Sequence, residues 1–315
     1  MRYRHTLGLL TATAMLLSPT VADAKLVVGV SDQQPTTFQD PFYKQAKFTV
    51  ARYIIPYDVT TDPFQTQRWE PWLANAKAAK QRILVSFEHS RKSRTAAGKL
   101  PSATEYKKAL AAFKKKYGKD VTDISPWNEV NRKFDKRRGE GQPTWNRPDK
   151  AAMYYGIAKK VFPKNKIVAL DVLDENKVGP TVKYIKAFKK AVAKQRLPKV
   201  KIWGLHPYSD INRFSTSRTR AMLKATGPGE IWLTEASGLV QFGSNFPYNE
   251  KRAAAANKCM FTIAKLSKSI KRLYFYGWVA GGAFDPALIG TDGKPRPGYK
   301  VVQKRQAGPC KKPKS

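Results

Sequence analysis

Acidic residues are scarce in this chain: 23 Asp and Glu stand against 59 Lys and Arg in 315 residues, a formal charge of +36. Cysteine and histidine are scarcer, at two and three. No Cys-x-x-Cys or His-x-x-x-His spacing occurs, so no protein metal site is expected. No glycine-rich phosphate loop follows the first strand-like run, which excludes the usual nucleotide cofactors, and no other cofactor is implied. No serine sits in a Gly-x-Ser-x-Gly elbow and neither cysteine ends a strand-like run, which argues against acyl transfer. Long apolar runs are missing too. Leu7 to Leu17 is too short to span a bilayer, and no later run is longer.

What is present at the N-terminus reads as an export signal. Arg2 and Arg4 precede the apolar run, and Ala22-Asp23-Ala24 offers a small-x-small cleavage site. Residues 1–24 are therefore expected to be a removable leader, with the mature chain secreted or held at the cell wall, starting at Lys25 and carrying +35. An uncleaved anchor is the alternative. An excess of cations repels itself and favours anionic polymers. For an exported protein these are acidic polysaccharides, wall polymers or lipid head groups. Most lysines, such as Lys107, Lys108, Lys186, Lys189 and Lys190, fall on outward faces of predicted helices, where solvation alone accounts for them. No aromatic-interleaved basic patch and no nucleic-acid motif is found, so nucleic acid is not an expected partner. In an oxidising compartment Cys259 and Cys310 are expected to form one disulfide, with two free thiols as the alternative.

Short apolar, β-branched runs predict strands at 25–30, 48–54, 82–87, 121–125, 166–172, 200–205, 230–235 and 273–279. Helical patterns alternate with them. Asp62-Pro63 opens one in the cap-then-proline manner, and Ser102 with Glu105 forms a capping box for the next. Others are predicted over 148–161, 178–195, 217–225 and 249–267, with a short one near Tyr299. Eight strand-helix units in a chain of this length predict a single (β/α)8 TIM barrel over residues 25–302, followed by a basic tail at 303–315. No second domain or internal repeat is visible, and a monomer is expected.

In such a barrel, side chains at the C-terminal ends of the strands meet at one mouth. Reading those ends gives Arg52, Glu88, His89, Trp127, Asn128, Glu129, Asp171, Asp174, His206, Tyr208, Glu235 and Trp278. Aromatic faces, amides, an Arg, a His and two strand-end glutamates suit a sugar ligand. Trp127-Asn128-Glu129, His206-Pro207-Tyr208, Thr234-Glu235 and Trp278, in that order on strands four, six, seven and eight, resemble the clan A retaining glycoside hydrolases. That superfamily of barrels includes cellulases, xylosidases and endo-β-1,3-glucanases. The resemblance implies hydrolysis of a β-linked polysaccharide, with Glu129 as acid/base and Glu235 as nucleophile. It further implies that Arg52 and Tyr208 support the nucleophile, that Asn128 binds the sugar 2-hydroxyl and that His206 holds the acid/base or the substrate. Trp278, if not a core residue, would floor a sugar subsite. The basic stretch Arg132 to Arg138 beside Glu129 predicts tolerance for acidic sugars. A competing expectation is an inactive barrel that binds a wall polymer through its positive surface.

Overall fold

The computed structural model describes residues 26–313; the expected leader lies outside them. Eight parallel strands form the inner wall: β1 (Val27–Ser31), β2 (Val50–Pro56), β3 (Arg82–Glu88), β4 (Asp123–Ser125), β5 in two segments (Lys166–Ile167 and Asp171–Leu173), β6 (Ile202–His206), β7 (Glu230–Ala236) and β8 (Ile270–Tyr276). Each pairs with its sequence neighbours, and β1 pairs with β8.

Closure is completed by β5, which bonds one neighbour with each of its segments. Lys166–Ile167 pairs with β4 and Asp171–Leu173 with β6. Between the segments, Val168 N donates to Ile124 O at 2.9 Å, Ala169 N donates to Ile202 O at 2.9 Å and Leu170 O accepts from Gly204 N at 2.7 Å. The chain thus passes from one neighbour to the other without leaving the wall. The fold is a closed (β/α)8 barrel, as the strand-helix alternation predicts.

The helices form an outer layer and begin where the sequence places them. Asp62 accepts from Gln65 N at the start of Pro63–Ala78, and Ser102 and Glu105 exchange both bonds of the capping box at the start of Ala103–Tyr117. Several predicted boundaries shift by one to four residues. The helix expected over 249–267 is Glu250–Ile263, and the last strand ends at Tyr276, not at residue 279. Cys259 and Cys310 are joined by a disulfide that fastens the segment after the last helix, Pro297–Gln303, to helix Glu250–Ile263.

The barrel interior changes character along its axis. Val50, Leu84, Val168, Ile202, Trp232 and Tyr274 form an apolar plug near the N-terminal end. Arg272 lies 3.7 Å above the Trp232 ring and donates to Asp123 at 2.6 Å, closing the bottom. Two residues further along the strands, the same inward register carries Arg52, Ser86 and Ser125. The period-two alternation of a strand therefore builds an apolar floor and then a polar layer above it.

Candidate active site

Arg52 organises the polar layer. It is wholly buried on β2 and donates to five side chains: Nε to Ser86 at 2.9 Å, Nη1 to Ser31 at 3.1 Å and Glu235 at 2.6 Å, and Nη2 to Asn128 at 2.7 Å and Asp171 at 3.3 Å. Burial opposes a charge there, but Glu235 and Asp171 hold the guanidinium firmly in its charged form. A buried arginine needs such partners to offset its desolvation.

Glu129 and Glu235, far apart in sequence, face each other across this layer. Glu235, near the end of β7, has both oxygens engaged: Oε1 by Arg52 and Oε2 by the Tyr208 hydroxyl at 3.1 Å. Glu129 follows β4 with a left-handed backbone, φ 41°, in a region where non-glycine residues are strained. Its Oε1 lies 3.2 Å from His206 Nδ1, and its Oε2 accepts from Arg132 at 3.4 Å. One ligating atom from each of Glu129, His206 and Glu235 can be chosen so that all three lie within 4.8 Å of one another. Two carboxylates and an imidazole could in principle hold a cation, but Arg52 already occupies Glu235 and supplies positive charge within bonding distance.

Protons are distributed unevenly here. Burial would raise the Glu129 carboxyl, but His206, Arg132 and Arg52 together hold it below the ordinary carboxylate value. Burial would lower His206, but Glu235, the bond to Glu129 and Asp171 raise it above the ordinary imidazole value. A proton shared by this pair thus rests on the imidazole. Tyr208 is pushed far up by burial and by Glu235, so its hydroxyl stays a donor.

Of the residues expected from sequence, Arg52, Asn128, Glu129, His206, Tyr208 and Glu235 are brought together. Trp278 is not. Its indole is wholly buried in the outer layer, edge-on to Tyr43, Phe48 and Tyr299. The strand ends two residues earlier, and Gly277 at φ 79° breaks the alternation that would have carried residue 278 inward. The aromatic at the mouth is Tyr276, raised by burial and by Glu235 and packed with Tyr208 and Phe284. The inward pair Arg272 and Tyr274 on the same strand was the signal that could have found it. Trp127 is also buried, stacked on Tyr154 and bonded to Gln142, and Glu88 is engaged by Arg91 at 2.7 Å.

The barrel superposes on solved structures over most of both chains. Xylanase 10B from Thermotoga maritima is matched with a TM-score of 0.64 at 12% identity, covering 90% of this chain and 95% of that one. The folds agree. This chain has the same (β/α)8 barrel fold as that enzyme. A GH10 endoxylanase retrieved from a sugarcane soil metagenome gives 0.61 at 17% identity, covering 89% of this chain and 96% of that one. A GH113 β-1,4-mannanase gives 0.55 at 12%, covering 88% and 97%. No sequence-family profile and no curated protein sequence matches the chain. The likeness to these enzymes therefore lies in the fold, and the chemistry has to be argued from the site.

Proposed function

We propose that the chain is a retaining O-glycoside hydrolase of a β-linked polysaccharide, with Glu235 as nucleophile and Glu129 as acid/base. The observation that carries this reading is the close approach of the two carboxylates, within 4.8 Å between oxygens. Retaining enzymes hold their carboxyls about 5–5.5 Å apart, whereas inverting ones leave about 6.5–9.5 Å for a water. The solved xylanases of the same fold include complexes with xylobiose and xylotriose, which supports an oligosaccharide in this cleft.

Each group has a task. Arg52 and Tyr208 hold Glu235 with its oxygens aimed at the anomeric carbon. Attack forms a glycosyl ester while Glu129 delivers a proton to the departing sugar oxygen. That proton comes from the His206–Glu129 pair. As Glu235 is esterified its negative charge disappears, and with it the strongest electrostatic support for the imidazolium. Attack therefore releases the proton as the leaving oxygen needs it. In the second step Glu129 takes a proton from water, which displaces Glu235 at the same carbon and restores the configuration. Asn128 has its oxygen committed to Arg52, so its amide NH2 is left for the 2-hydroxyl of the sugar. Arg132 beside Glu129 and the basic stretch after it favour acidic sugars on the leaving-group side.

Export completes the reading: residues 1–24 are the leader, and a disulfide suits an oxidising compartment. The test is hydrolysis of β-1,4-linked xylan, mannan and galactan and of uronate-bearing β-glycans, following the first-formed anomer by NMR. Retention in the wild type and a loss of at least about 10³-fold in Glu235→Ala are expected. An inverted first product would overturn the double displacement, and unchanged rates in both Glu129→Gln and Glu235→Ala would overturn the assignment.

A further inference from the structure

A chain of hydrogen bonds runs from the buried middle of the barrel to Glu129, and the roles above use only its last link, from His206 to Glu129. Asp171 is wholly buried on β5. Its Oδ2 accepts from Ser125 at 2.7 Å, Ser86 at 3.1 Å and Arg52 at 3.3 Å. Its Oδ1 accepts from the Thr234 hydroxyl at 2.7 Å. The same hydroxyl lies 3.1 Å from His206 Nε2, and His206 Nδ1 lies 3.2 Å from Glu129 Oε1.

The donor count fixes a direction. A carboxylate only accepts, so the one hydrogen of Thr234 points to Asp171. The threonine oxygen can then only accept from the imidazole, which obliges Nε2 to carry a hydrogen in either charge state. The remaining exchangeable proton of the ring has one place left, between Nδ1 and Glu129 Oε1. Room for this arrangement is made by Gly204 on β6, where a Cβ would lie 1.7 Å from Asp171 Oδ1 and 2.8 Å from the Thr234 hydroxyl.

We propose that Asp171 and Thr234 are positioning residues that lock His206 as the Nε2–H form, so that the proton shared by Nδ1 and Glu129 is the one delivered to the leaving group. The proposal rests on the reading of Glu129 as acid/base. The other charged or titratable groups facing the imidazole are Arg52, Glu235 and Tyr208, and none of the three is hydrogen-bonded to the Thr234 hydroxyl. Thr234→Val keeps the shape and removes the hydroxyl. Freed of its acceptor, the neutral ring is expected to place its hydrogen on Nδ1 and donate it to the Glu129 carboxylate, so the pair loses its deliverable proton.

The test is nitrogen-15 NMR of histidine-labelled protein across pH, which needs no substrate, run beside pH profiles of kcat/KM on whichever β-glycan is cleaved. In the wild type the neutral form of His206 should show Nε2–H, and its titration should lie above that of a free imidazole. In Thr234→Val the tautomer should switch to Nδ1–H, the titration should fall by about one pH unit or more, and kcat should drop at least about tenfold with KM little changed. Thr234→Ser should restore all three. Asp171→Asn should shift the titration the same way, and a fold check by circular dichroism accompanies it because Arg52 loses a partner. An unchanged tautomer and titration in Thr234→Val would overturn the proposal whatever the activity. Correct spectra with no turnover of any β-glycan by the wild type would leave the hydrogen-bond lock standing and count against the hydrolase reading instead.

Discussion

At the scale of single residues, the arrangement depends on charges that are buried together. Arg52→Met removes the cation between Glu235 and Asp171 and leaves both carboxylates in the barrel with one partner fewer. Breaking such a group is expected to cost about 3–5 kcal/mol, read as a lower urea midpoint, together with loss of hydrolysis. Gly204→Ala is expected to be at least as disruptive, because the added carbon would overlap Asp171. The His206–Glu129 pair also ties stability to pH. His206 titrates above its ordinary 6.5, so its contribution is fully present below 6.5 and lost as pH rises through the raised value. Glu129 titrates below its ordinary 4.5, so its contribution is present above 4.5 and lost as pH falls through the lowered value. Melting temperature should therefore lose its plateau on both sides of that window, and His206→Gln should flatten the alkaline side. The catalytic candidates were legible because a strand-end position in a barrel is a topological fact, not a local one. Tyr276 was not, because an apolar run such as LYFYGWV does not say where its strand stops.

At the scale of elements, the alternation of β-branched runs with capped helices gave the barrel, and caps such as Ser102 fixed helix starts to the residue. Two features lay beyond a local reading. The division of β5 arises because the wall must close, and closure is a property of eight strands together. The early end of β8 arises because Gly277 turns the chain with a positive φ next to Pro286, a contact invisible in sequence. The disulfide acts on two elements at once. It closes a loop of 51 residues around β8 and the last helix, and Cys310→Ser should cost about 2–4 kcal/mol, measured as a lower urea midpoint with a steeper slope because the unfolded chain is freed to expand. Activity at moderate temperature should survive, since the bond is on the outer layer and far in sequence from Glu129.

At the scale of the whole molecule, charge and fold separate cleanly. The barrel is shared with xylanases at 12–17% identity, and this chain carries it with a strongly positive net charge. Retention of the chain on a polyuronate column should fall steeply between about 0.05 and 0.5 M salt, since screening shortens the reach of exposed charges from about 14 to 4 Å over that range. Flat retention would remove the anionic-polymer reading while leaving the cleft untouched. Among the described residues no helix is long and apolar enough to cross a membrane.

The bond between Cys259 and Cys310 has a further effect on how the protein meets proteases. The exposed loop tip Gly281, Gly282 and Ala283 lies between the two cysteines. A single cut there would leave both pieces covalently attached, so a nicked molecule would run as one band until a reductant was added. In a degradative environment that is a form of damage tolerance.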